Sequence, residues 1–272
     1  MSKTNQSKKC ADPTTENKKI ESGKAENNRT EKNTTEKNKT GKKEYFGTVC
    51  EIQRNSYNIL VENKTIHAKL KGNFFRENEE LPVVGDNVAF LPNENGDSLI
   101  TSVCERKSVL KRPYAADRSM DNGKEQVMVA NVDYVFIVSS LNDNYNFNRI
   151  ARYVSMTLQG NAIPVVILTK ADLCSNPGRY ASEIENLSEQ VKVHSVSALY
   201  GIGMDELNKY LQPGKTIAIL GSSGVGKSTL VNALVQEDVM KTSEIRESDS
   251  KGRHTTTHRQ MIELLNGARI ID

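Results

Sequence analysis

Residues 216–234 read TIAILGSSGVGKSTLVNAL, and this stretch decides the fold. Thr216–Leu220 is a short apolar run of the kind that forms a strand buried on both faces. Gly221-Ser222-Ser223-Gly224-Val225-Gly226-Lys227-Ser228 then matches the P-loop pattern G-x-x-x-x-G-K-[ST], with Thr229 completing the turn. A helix follows, with Leu230, Val231, Leu234 and Val235 on one face. The chemistry needs these residue types. Glycines let the backbone wrap phosphate oxygens without a Cβ in the way. Exposed N–H groups and the helix N-terminus supply positive potential. Lys227 reaches the β and γ phosphates as a point charge, and the Ser228 hydroxyl suits Mg²⁺.

Upstream, the rhythm from Val132 alternates strand and helix. Asp133–Ser140 (DYVFIVSS), Pro164–Leu168 (PVVIL) and Val191–Val196 read as strands. Asn148–Gln159, closed by Gly160, Arg179–Gln190 and Met204–Leu211 read as helices. Downstream, Gln260–Leu265 and Ala268–Ile271 flank Asn266-Gly267 as a hairpin. The alternation predicts a doubly wound α/β sheet, whose ligands sit at the carboxyl ends of its strands.

A P-loop does not choose its base. Thr169-Lys170-Ala171-Asp172, at the end of the 164–168 strand, does. A carboxylate there accepts from guanine N1–H and its exocyclic amine, a donor pair that adenine lacks. The Lys170 stem can lie along the base. Ser197-Ala198, after the next strand, can offer a backbone N–H to guanine O6. A P-loop ATPase or kinase leaves both segments unexplained.

Ahead of this domain, Tyr45–Gln53, Tyr57–Val61, Thr65–Lys71, Asn87–Leu91 and Leu99–Glu105 read as five strands separated by turn residues. That spacing suits a small barrel, OB-like or SH3-like. Lys69, Lys71, Phe74, Phe75 and Arg76 mix basic and aromatic side chains there, as an RNA-binding face or as core aromatics with ordinary surface charge. Residues 1–43 carry twelve Lys/Arg against six Asp/Glu and almost no large apolar side chains. They read as a disordered basic tail, either RNA-attracting or merely solvated. Cys10, Cys50, Cys104 and Cys174 are too widely spaced for a zinc pair or a disulfide framework, and isolated thiols suit a cytoplasmic location. No apolar run is long enough to span a membrane.

The base segments precede the P-loop, whereas conventional GTPases run the other way. With Ser197-Ala198-Leu199-Tyr200-Gly201-Ile202-Gly203, GSSGVGKSTLVNAL at 221–234, Gly252-Arg253-His254-Thr255-Thr256-Thr257 and Ala130-Asn131-Val132-Asp133, the chain from about 45 to 272 resembles the RsgA (YjeQ/EngC) family of circularly permuted GTPases. Beyond the tail at 1–43, the resemblance implies an OB-like RNA-binding barrel at 44–112 and a permuted GTPase domain at 113–272. It implies a GTP hydrolase, with Mg²⁺, that assists late maturation of the small ribosomal subunit and is stimulated by the subunit and its rRNA. A monomer without membrane contact is expected.

By residue, the resemblance assigns Lys227 and Ser228 to phosphate and Mg²⁺, and Thr169, Lys170, Asp172, Ser197 and Ala198 to guanine. One of Thr255–Thr257, with Thr256 taken here, senses the γ-phosphate and Mg²⁺. His254 either positions the attacking water or contacts RNA or solvent. Asp272 matches the first residue of the D-x-x-G motif, holding Mg²⁺ through water. Two departures stand out. Thr169 replaces the usual Asn, so part of its bridging role falls to a hydroxyl and guanine affinity is expected to drop without vanishing. The chain also stops at Asp272, so the expectation is a truncated G domain lacking switch II, the last sheet strands and the family's zinc domain. The second reading is therefore a non-hydrolysing RNA-binding module whose incomplete G domain binds guanine nucleotide weakly or not at all.

Overall fold

The computed structural model describes residues 36–37, 43–62, 64–74, 80–113, 125–235 and 259–272. They divide into two units, one ending at Arg106 and the other beginning at Lys107. Apart from Lys43 and the two-residue strand β1 (Glu36–Lys37), the basic tail read at 1–43 lies outside the described residues.

In the first unit, strands β2 (Lys43–Gln53), β3 (Ser56–Val61), β4 (Lys64–Leu70), β5 (Asn87–Leu91) and β6 (Ser98–Val103) fall within two residues of the expected bounds. They run in the order β2-β3-β4-β6-β5, and β5 pairs back onto β2 to close a barrel. The β4–β6 pair is parallel and the rest are antiparallel. That order, with one parallel pair, belongs to the OB-like Greek-key barrel and decides between the two barrels the spacing allowed. Val49, Ile59, Phe74, Val88, Phe90 and Ile100 fill the interior. Phe74 is therefore a core aromatic, while Phe75 and Arg76 lie outside the described residues. Lys69 pairs with Asp97 at 2.7 Å.

Asp86 is fully buried. It accepts from Arg106 Nε at 2.7 Å and Nη2 at 2.8 Å, and from the Val83 N–H at 2.8 Å. Arg106 also pairs with Glu80. The Cys174 thiol is free, and the Cys50 thiol donates to the Asn58 carbonyl at 3.2 Å.

The second unit opens with an antiparallel pair that the sequence reading did not foresee, β7 (Val109–Pro113) and β8 (Glu125–Ala130). The main sheet follows: β9 (Tyr134–Ser140), helix α1 (Phe147–Gln159), β10 (Ile163–Thr169), helix α2 (Pro177–Glu185), β11 (Lys192–Ser195), β12 (Thr216–Gly221), helix α3 (Lys227–Val235), β13 (Met261–Glu263) and β14 (Arg269–Ile271). The sheet order is β11-β10-β9-β12-β14-β13, parallel throughout except for the β13/β14 hairpin. The chain steps outward from β9 to β10 and β11, then returns to place β12 on the other side of β9. The crevice at the carboxyl ends of β9 and β12 is thus a topological switch point. Phe136, Ile167, Ile217, Ile219, Leu230 and Ile270 lie in the core beneath it, each contributing about 1.5–3 kcal/mol by burial. Among the described residues no helix is long and apolar enough to cross a membrane.

Three local expectations change. The segment read as a helix at Met204–Leu211 is a 3₁₀ turn at Asp205–Leu207, continued by further turns. Its N–H groups bond three residues back, as in Leu207 to Met204 and Tyr210 to Leu207. Helix α2 ends at Glu185 rather than Gln190, where a Ser188–Val191 turn redirects the chain into β11. Gly160 closes α1 at φ −81°, so no left-handed cap requires it. It is glycine because a Cβ would lie 2.3 Å from the Val109 carbonyl of β7.

Candidate functional site

Strand β12 delivers the chain to Gly221, and α3 begins at Lys227, so residues 221–228 form the connecting loop. Gly224 and Gly226 adopt φ of 79° and 90°, which L side chains rarely tolerate. Val225 between them is buried and anchors the loop to the core. Lys227 Nζ donates to the Gly221 carbonyl at 3.1 Å and the Ser222 carbonyl at 2.9 Å, so the ammonium lies across the concave side of the loop. Ser223, Ser228 and Thr229 are exposed on the first turn and its approach.

The base segments meet this loop directly. Thr169, at the end of β10, is buried. Its Oγ1 donates to the Val225 carbonyl at 2.6 Å, with the Ser139 carbonyl at 3.4 Å. Lys170 takes φ 57° and sends Nζ to within 3.4 Å of the Gly224 carbonyl. That left-handed residue turns the chain so that Asp172 stands exposed on the 3₁₀ turn Ala171–Leu173. Among the described residues no hydrogen bond or ion pair occupies its carboxylate. The Ala171 N–H donates to the Val196 carbonyl at 3.1 Å, and Val196 N–H to Leu168 at 2.8 Å, which fixes the Ser197-Ala198 loop beside Asp172. A two-way backbone bridge between Ser197 and Ile202 holds that loop, at 2.9 and 3.0 Å. The Ser197 hydroxyl is buried with no hydrogen-bond partner among the described residues.

Asp272 follows β14, the neighbour of β12, and its backbone exchanges hydrogen bonds with Gln260. The carboxylate is therefore carried at the same end of the sheet as the 221–228 loop. The residues brought together are thus Thr169, Lys170, Asp172, Ser197, Ala198, the 221–229 segment and Asp272. His254 and Thr255–Thr257 lie outside the described residues.

One further group escaped the sequence reading. The β9–α1 connection crosses the phosphate loop, and Arg149 Nη1 donates to Ser222 Oγ at 2.8 Å. Asn144 Nδ2 lies 3.8 Å from where a Gly224 Cβ would stand. Tyr145 anchors this connection with its ring centroid 4.7 Å from that of Tyr180. Burial, then Glu183 and Tyr180, push its phenol up to about 12. No sequence signal marks Arg149, because Ser222 is 73 residues away.

The RsgA GTPase model matches residues 103–272, and the RsgA N-terminal domain model matches residues 47–100. The chain belongs to the RsgA family. It is 42% identical over 226 residues to the small ribosomal subunit biogenesis GTPase RsgA of Methanosarcina acetivorans, covering 83% of this chain and 58% of that protein. The small ribosomal subunit biogenesis GTPase RsgA 2 of Listeria monocytogenes serotype 4b is 42% identical over 229 residues, covering 84% of this chain and 63% of its own length. The chain thus spans about three fifths of the length of these RsgA relatives. Among solved structures, YjeQ from Thermotoga maritima superposes with a TM-score of 0.61 at 27% identity, over 84% of this chain and 74% of that one. YloQ, described as a circularly permuted GTPase, superposes at 0.56 and 20% identity, over 84% and 70%, and supports the fold alone. An OB-like barrel followed by a circularly permuted GTPase domain is the RsgA architecture seen here.

Proposed function

We propose that this RsgA chain binds GTP with Mg²⁺ at the carboxyl ends of β10, β12 and β14, and serves as a GTP hydrolase in maturation of the small ribosomal subunit. The Thr169–Val225 hydrogen bond carries the reading, because it joins the guanine-reading strand end to the phosphate loop in one site. Asp172 and the Ala198 N–H would read the base, with the Lys170 stem along its face. The amides of 221–229 and Lys227 would hold the phosphates.

The exposed Ser228 hydroxyl and the Asp272 carboxylate are hard oxygen donors, as Mg²⁺ requires, Asp272 acting through water. The ion would neutralise charge on the transferring phosphoryl group. The protein's part is positional. Its fixed amides and Lys227 cost no reorganisation as charge develops during in-line attack by water. Thr256 is proposed for the switch and His254 for orienting the water. The barrel would grip rRNA. The relatives' names support the small subunit as partner, and with it a cytoplasmic site of action. We extend the proposal to a monomer.

The test is nucleotide binding and turnover by this chain with GTP and ATP, with and without small ribosomal subunits. GTP-selective binding with subunit-stimulated hydrolysis is the expected result. GTP-selective binding without turnover would restrict the proposal to a binding module. Equal affinity for ATP in a folded chain would overturn the base assignment.

A further inference from the structure

Arg149 stands where an ordinary helix would place an acid. It lies in the first turn of α1, its own N–H capped by Asn146 Oδ1 at 2.9 Å. That turn carries no acidic residue, and a cation at a helix N-terminus opposes the macrodipole. Among the described residues no carboxylate pairs with Arg149. Among the described residues its one hydrogen-bonding partner is Ser222 Oγ in the phosphate loop, at 2.8 Å. A guanidinium has five donors, so most remain to be satisfied. The connection that carries it is stiff. Asn142 Oδ1 accepts from Ser140 Oγ at 2.7 Å and from the Asn144 N–H at 3.2 Å, and the Leu141 N–H donates to the Thr169 carbonyl at 2.9 Å. An unpaired, fixed cation and a helix N-terminus therefore face the same loop as Lys227.

We infer that Arg149 is a second phosphate-binding cation of this site, supplied in cis, and that it discriminates nucleoside triphosphate from diphosphate. The inference rests on the nucleotide-binding reading above. Its physical basis is that a planar guanidinium offers forked donors to phosphate oxygens, and each added terminal charge strengthens that contact. Anchored on Ser222, the side chain loses little freedom on binding.

The experiment titrates the chain, Arg149→Ala and Arg149→Lys with GDP and with a non-hydrolysable GTP analogue in Mg²⁺, by calorimetry. Arg149→Ala is expected to weaken the triphosphate analogue about tenfold while GDP changes by no more than about twofold, with Arg149→Lys between. GDP and analogue weakening together would show that Arg149 only shapes the loop, and unchanged affinities would show no role; either result overturns the inference. Circular dichroism accompanies each titration. If Arg149→Ala does not fold, Arg149→Gln carries the same comparison. A parent chain that is folded but binds neither nucleotide defeats the nucleotide reading and this inference with it, whereas a binding parent with an unchanged triphosphate preference in the variants defeats this inference alone.

Discussion

Thr169 Oγ1 donates to the Val225 carbonyl at 2.6 Å, so the strand end beside the base loop is tied to the middle of the phosphate loop. Both residues are buried, so water cannot replace the bond. Thr169→Val keeps the shape and deletes the donor, leaving a buried carbonyl short of its partner at a cost of about 1–3 kcal/mol. We expect lower stability in urea and weaker GTP binding in the same variant. Stability loss with GTP affinity intact would show that the bond supports the fold and does not couple the two loops.

Asp172 is exposed at the left-handed turn made by Lys170, with its carboxylate uncommitted among the described residues. Asp172→Asn exchanges an acceptor for a donor, so guanine loses its match and xanthine gains one. The GTP-to-XTP affinity ratio should invert, and competition binding measures it. Stability should change by less than about 0.5 kcal/mol, as at other surface sites. An unchanged ratio would show that residue 172 does not read the base.

The main sheet was legible because its strands are buried on both faces, and that leaves near-continuous apolar runs such as Tyr134–Ser140. The P-loop was legible because strand, glycines and helix occur in register, and the Asn266-Gly267 turn because Gly267 takes φ 81° and Asn266 Oδ1 accepts from the Ala268 N–H at 3.0 Å. The β7/β8 pair was hidden, since Val109–Pro113 mixes basic residues and proline into a short strand. Alternation in Glu125–Val129 was the available signal for its partner. Met204–Leu211 misled, because the apolar spacing of Met204, Leu207 and Leu211 suits a helix, and the same three-residue steps are met by 3₁₀ turns. The segments 169–172, 197–198 and 221–229 could be placed at one end of the sheet from the sequence, whereas the Arg149–Ser222 contact could not, since only the tertiary fold brings the two together.

Among the described residues Lys227 Nζ bonds only the carbonyls of Gly221 and Ser222, at a half-buried position that solvent can reach. Lys227→Ala should therefore leave stability within about 0.5 kcal/mol of the parent. Loss of a charge-assisted contact to two phosphates should weaken GTP on the order of a hundredfold or more. Fluorescent-nucleotide titration measures the loss. Retained affinity in that variant would sink the phosphate-loop assignment.

In the barrel, Asp86 is held by Arg106 in a bidentate pair at 2.7 and 2.8 Å, and by the Val83 N–H. Removing Arg106 strands the buried Asp86 carboxylate, so Arg106→Leu should cost about 3–5 kcal/mol. The double variant Asp86→Leu with Arg106→Leu removes both charges and should cost less than the two single changes combined. Urea denaturation of the four proteins completes the cycle. Additive losses would mean that the pair is not coupled.

Gly226 separates dihedral strain from steric clash. Its φ is 90°, yet a Cβ there would meet only Thr169, at 3.8 Å, an ordinary contact. Any cost of Gly226→Ala therefore comes from the backbone, about 1–2 kcal/mol for an L residue forced left-handed. Gly72 supplies the control, since a Cβ there meets nothing within 4 Å and its φ is not positive. Gly72→Ala should be near neutral or slightly stabilising, because it restricts the unfolded chain. The same strain should weaken GTP in the Gly226 variant, for the amides of 225–227 are oriented by that dihedral. Equal stability in the two variants would mean that the loop relaxes to a negative φ. Its nucleotide affinity would then show whether the orientation, rather than the glycine itself, is what phosphate needs.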